Sequence, residues 1–148
     1  MADRAGFLAF IRTAGFTTII LPDASTDIDS ALSLSLEIVN TDIQTLSQIL
    51  YDQAVYNLGV SNLIEYASDQ PNLPAGQISF ASLRVKYKVA EFVSGIISAA
   101  SDEGTSTTLM TPDWAQRASI ADLQYLKNPW GRTYMGIAQR LGTLWGST

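Results

Sequence analysis

From Leu50 to Ala67, apolar side chains return at helical spacing over a broad face: Tyr51, Ala54, Val55, Leu58, Leu63 and Tyr66, with Asn62 among them. A helix with that much apolar circumference has to be surrounded. The segment therefore predicts the central helix of a bundle, and the rest of the chain must supply its neighbours. Gly59 lies inside the face, where glycine costs about 1 kcal/mol against alanine, so a close helix approach is expected there. Asn62 is expected to be a buried amide with its hydrogen bonds met inside the core.

The candidate neighbours lie on both sides. Ala5 to Phe16 places Phe7, Leu8, Phe10 and Ile11 at helical spacing and stops near Gly15. A short extended link ends at Pro22. Ser25 or Thr26 can then cap a helix from about Asp27 to Val39, with Ile28, Leu32, Leu36 and Val39 on one stripe and Leu34 and Ile38 widening it. Asn40 to Ser47 is a polar interval with several possible caps, and Ser68 to Gly76 is a loop. Ser79 can cap a helix to about Ala90 that carries Arg84, Lys86 and Lys88 as a local basic cluster. Ser119-Ile120-Ala121-Asp122 opens a helix through Leu126 with a variant capping box. Asn128 as N-cap and Pro129 at the first helical position open the last helix, whose stripe is Trp130, Tyr134, Ile137 and Leu141, ending at Gly142.

Phe92 to Pro112 breaks the helical pattern. Two β-prone arms flank Ser101-Asp102-Glu103-Gly104-Thr105, which predicts a hairpin with Gly104 at the left-handed position of a three-residue loop. Ser98, Ala99, Ala100, Ser101, Ser106, Thr107 and Thr108 are too small to build a core. Such strands specify register weakly and leave backbone edges for other chains. An arm lying against neighbouring molecules fits these residues, and so does a hairpin folded back over its own domain.

The chain of 148 residues, with no repeat or linker, predicts a single domain that needs no staple. It has no cysteine, which excludes thiol and Cys-zinc chemistry, and no histidine, which removes the commonest general base and metal ligand. The net charge of −5 is unevenly placed: residues 1–83 hold only Arg4 and Arg12 against nine acids, whereas residues 84–148 hold seven basic side chains against five acids. Two electrically distinct faces are expected. No basic stripe suited to duplex binding is present, and no apolar run approaches a membrane span or a leader, so a soluble, unprocessed chain is expected.

Four segments, in order, resemble the tailed-phage neck proteins of the head-to-tail adaptor (connector) family. They are Leu21-Pro22-Asp23 leading to Glu37-Ile38-Val39-Asn40, the run Tyr51 to Tyr66, the arm Ser101 to Ser106, and Asn128 to Gln139 ahead of Leu144-Trp145-Gly146. The resemblance implies a mainly α fold: one adaptor domain whose small bundle of about five to six helices fills 3–91 and 112–142, with one projecting β-hairpin arm at 92–111 and a tail at 143–148. It implies a homo-oligomeric ring, dodecameric in this family, beneath the portal protein. It also implies contacts with the next neck or tail component, DNA only as passing cargo, no enzymatic activity and no cofactor. A second-layer stopper is the alternative within the same apparatus. A ring needs two different patches on each copy, which the acidic first part and more basic second part can supply, and a channel that passes DNA benefits from few cations.

The candidate interface residues are Ile97, Ser101, Asp102, Glu103, Gly104, Thr105, Ser106 and Thr107 of the arm, Arg84 and Lys88 of the basic cluster, and Trp145 of the tail, an aromatic anchor beyond the helix stop. The basic cluster reads equally as a solvated helix surface. Trp130 is expected in the core, and Trp114 in the core or at an interface. Asp27 with Asp29, and Glu65 with Asp69, are carboxylate pairs that suit a hard cation or acid–base work, but helix capping already explains such aspartates. Two further classes make distinct predictions: a helical ligand-binding domain needs a concave apolar pocket, and a carboxylate hydrolase needs two acids in one cleft.

Overall fold

The computed structural model describes residues 2–91, 99–102, 105–108 and 119–140, the two four-residue stretches by their backbone alone. Seven helices are present among them: α1 (Arg4–Thr13), α2 (Thr26–Ile38), α3 (Asp42–Leu46), α4 (Gln48–Tyr66), α5 (Phe80–Lys86), α6 (Ile120–Tyr125) and α7 (Pro129–Arg140). The fold is mainly helical, as expected, with one helix more than the sequence pattern predicted.

α4 is the centre. Every residue from Ala54 to Ile64 is buried, so its whole circumference in that stretch is covered. α2 and α7 pack against it most extensively, and α1, α3 and α5 cover the remainder. The close approach expected at Gly59 is made by α1: a β-carbon there would lie 2.5 Å from Cζ of Phe7, whose ring stacks on Tyr56 at 5.8 Å.

Polar groups inside the core fix the flanking helices in register. Asn62 is buried and its Nδ2 donates to Ser35 Oγ at 3.2 Å, while Ser35 Oγ donates to the Ala31 carbonyl at 2.7 Å. On the other side, Asn128 Nδ2 donates to Ser61 Oγ at 2.8 Å, and Asn128 Oδ1 accepts from the Gly131 amide at 2.8 Å as the N-cap of α7. Each amide therefore meets a partner across a helix seam, where an unmet one would cost about 1–3 kcal/mol.

Several expectations need correction. The buried stripe of α2 runs through Ile28, Ala31, Leu32 and Ser35, whereas Leu34, Leu36 and Ile38 face outward. The small Ala31 and Ser35 let α2 lie close on α4 and turn the larger aliphatics away from the seam. The interval Asn40 to Ser47 contains α3, which buries Ile43 and runs into Ser47, the N-cap of α4. Tyr66, expected on the buried face, is exposed at the last turn of α4. α5 stops at Lys86, well before Ala90: the following turn carries Lys88 into the left-handed region (φ 55°), which no continuing helix can accommodate. In α7 the buried residues are Gly131, Tyr134, Met135 and Ala138, with Trp130 and Ile137 partly covered and Arg132 and Gln139 outside. Leu141 and Gly142 lie outside the described residues.

Two strands, β1 (Ala99–Asp102) and β2 (Thr105–Thr108), pair antiparallel with Asp102 opposite Thr105 and Ala99 opposite Thr108. That register leaves two residues, Glu103 and Gly104, between the strands instead of three. Both lie outside the described residues.

Candidate functional site

Most charged side chains that could have formed a reactive centre hold the fold together. Arg12 donates to the carbonyls of Phe16 (2.6 Å) and Leu21 (2.8 Å) and pairs with Asp23, fastening the Leu21-Pro22-Asp23 loop to α1. Arg4 reaches Asp29 at 2.6 Å and the Asp23 carbonyl at 2.6 Å. Asp27 accepts from the Ser68 amide at 3.2 Å, tying the start of α2 to the end of α4. Asp69 caps α5 through the amides of Phe80 (2.5 Å) and Ala81 (3.1 Å), and Glu65 accepts from Gln124 Nε2 at 3.1 Å. The two carboxylate pairs are thus divided among helix caps and cross-links. Among the described residues no three Asp or Glu side chains gather where a metal could sit.

Arg84, a candidate interface residue, turns inward. Its Nε donates to the carbonyls of Ile64 (2.9 Å) and Glu65 (3.1 Å), and one terminal nitrogen donates to that of Ala67, so the guanidinium closes the C-terminal end of α4. Lys88 stays exposed, with Glu91 at 3.4 Å. Lys86 Nζ sits 5.3 Å from the ring centre of Tyr87. The basic cluster of the sequence is therefore one structural cap and two solvent-facing ammonium groups.

Of the arm candidates, Ser101 lies opposite Ser106, Asp102 opposite Thr105, and Thr107 opposite Ala100. Ile97, Glu103, Gly104, Trp145 and also Trp114 lie outside the described residues. Trp130 packs partly under the core, its ring 5.8 Å from Phe16 and edge-on to Tyr87 at 6.4 Å.

The helical body carries a feature that the sequence pattern did not single out. Where α2 crosses the last two turns of α4, a groove of about 230 Å³ is lined by Asp27, Ser30, Ala31, Leu34, Asn62, Leu63, Tyr66 and Ala67. Leu34 and Ile38, one turn apart, and Tyr66 leave apolar surface unpartnered around it. The Tyr66 phenol, though largely exposed, is pushed above its ordinary pKa by partial desolvation of its hydroxyl and by the charge and hydrogen bond of the adjacent Glu65 carboxylate. On α5, Val85 stands almost fully in solvent next to Lys86. The sequence signal for this surface was the Leu34/Ile38 pair, which reads as core because its spacing matches a buried stripe.

No helix among the described residues is long and apolar enough to cross a membrane. Comparison of the chain with protein-family models, curated proteins and solved structures finds no match.

Proposed function

We propose that this chain is a structural adaptor of the tailed-phage neck, forming a ring beneath the portal that joins the capsid vertex to the tail machinery and leaves a channel for DNA. What carries the proposal is the ordered set of four segments resembling the adaptor family. The helical frame gives three of them structural meaning. Leu21-Pro22-Asp23 is the loop that Arg4 and Arg12 clamp ahead of α2, Tyr51 to Tyr66 is most of α4, and Asn128 to Gln139 is the capped α7 that packs along it. The fourth, Ser101 to Ser106, spans the paired strands, and in this proposal it is the projecting arm.

The competing classes find less support. A small-molecule site uses a pocket of about 300–1,000 Å³ with convergent polar groups. The α2–α4 groove falls below that range, and its Asn62 amide already bonds to Ser35. A carboxylate hydrolase needs two acids in one cleft, whereas Asp27, Asp29, Glu65 and Asp69 serve as caps and cross-links at separate places.

The experiment is co-sedimentation of the purified chain with portal rings, followed by negative-stain imaging. A ring stacked coaxially on the portal with an open channel is expected. A chain that sediments apart from the portal and remains monomeric in its presence overturns the proposal.

A further inference from the structure

The first part of the chain has an acidic surface with few cations to cover it. Between Thr13 and Leu83 the sequence contains no lysine or arginine, and Arg4 and Arg12 are both held in the Asp23–Asp29 region. Into this surface opens the α2–α4 groove, with Ala31, Leu34, Leu63 and Ala67 as its apolar lining and Asp27 among its residues. Leu34, Ile38 and Tyr66 are 42%, 38% and 68% exposed, and the exposed Glu37 adjoins Ile38.

α5 and the turn after it carry the complementary chemistry. Val85 is 79% exposed and is followed by the exposed Lys86 and Lys88, while Arg84 is turned into the fold. An aliphatic side chain flanked by ammonium groups matches a small apolar groove flanked by carboxylates. The Lys88–Glu91 pair is solvent-exposed and holds its lysine only weakly, so Lys88 can change partner.

We propose that Val85 of a second copy of this chain enters the Leu34–Tyr66 groove, with Lys86 and Lys88 of that copy facing Asp27 and Glu37. The contact rests on the ring proposed above, because α5 of one copy engaging the groove of the next is a head-to-tail interface that repeats around a ring. The groove is too small for a drug-sized ligand but admits one aliphatic side chain. The charge pairs set partner choice and register, and the apolar insertion provides the area removed from water.

The absence of cysteine makes the test direct. Full-length Leu34→Cys and Val85→Cys variants are mixed, alone and on purified portal, and treated with a short bis-maleimide. The mixture is expected to give a cross-linked dimer that neither variant gives by itself, and the Leu34→Cys/Val85→Cys double variant a ladder of higher species. Glu37→Lys or Lys86→Glu in that double-cysteine background is expected to lower the yield about two- to fivefold, and the two reversals together to restore it. A mixture that does not cross-link overturns the contact. If that mixture still binds portal, the adaptor proposal survives it. A double variant that stops at dimer shows two-fold pairing and overturns the head-to-tail arrangement. Cross-linking without any portal binding upholds the contact and removes the adaptor proposal instead.

Discussion

Tyr134 is the side chain whose ionisation the fold opposes most clearly. Burial against Tyr125, 5.6 Å away edge-to-face, pushes its phenol up to about 12 from the ordinary 10. Below pH 10 the phenol is neutral in both folded and unfolded chains, so stability is unaffected. Between pH 10 and 12 only the unfolded chain ionises, and about 2–3 kcal/mol of stability is lost as pH rises through that window. Tyr134→Phe should leave the urea midpoint at pH 8 nearly unchanged and flatten the decline between pH 10 and 12. Equal alkaline slopes in the two proteins would rule this origin out. Gly59 poses the opposite kind of constraint, one of space. Alanine there gains about 1 kcal/mol of helix propensity, but its β-carbon meets the Phe7 ring, which is fully buried and cannot swing out. Overpacking costs about 1–3 kcal/mol, so Gly59→Ala should lower the urea midpoint, and Phe7→Leu combined with it should cost less than the sum of the two. A Gly59→Ala protein as stable as the parent would mean that α1 does not lie this close to α4.

At the scale of the elements, the end of α4 depends on one side chain from another helix. The Arg84 guanidinium bonds to three carbonyls that α4 would otherwise leave unmet at its C-terminal end. A lysine ammonium keeps the charge but has no planar fork to span them, so Arg84→Lys should cost about 1–3 kcal/mol by urea denaturation. Lys86→Ala and Lys88→Ala should each stay within about 0.5 kcal/mol of the parent. If all three behave alike, Arg84 belongs to the solvated cluster after all. That division of labour was not legible in the sequence, where Arg84, Lys86 and Lys88 look equivalent. What could be read were the elements that local chemistry specifies: α4 from its apolar circumference, α6 from Ser119 and Asp122, α7 from Asn128-Pro129. α3 was missed because five residues with Ile43 alone buried show no period. The outward turn of Leu34 and Ile38 was missed for a different reason. Helical spacing says that two residues share a face, but which neighbour covers that face is decided by how closely Ala31 and Ser35 let α2 sit on α4.

For the whole molecule, the question is what the strand pair adds to the helical body. Ala99–Asp102 and Thr105–Thr108 form a two-stranded sheet of small and polar residues, with no third strand among the described residues. A lone two-stranded hairpin is marginally stable in water, and this one has little apolar surface with which to anchor itself. The core of α1, α2, α4 and α7, by contrast, is filled by large helical side chains, Phe7, Ile28, Leu58 and Met135 among them. Stability of the body and formation of the proposed ring should therefore separate experimentally. Replacing residues 99–108 with a Gly-Ser linker of equal length should leave the melting temperature of the isolated chain within about 2 °C, since 1 kcal/mol shifts a domain of this size by about 2–8 °C. If the strand edges pair with neighbouring copies, as the proposed ring requires, the same variant should no longer form a ring on the portal. A melting temperature lowered by several degrees, with assembly intact, would place these strands in the body's own fold and assign the assembly contacts to the helical surface alone.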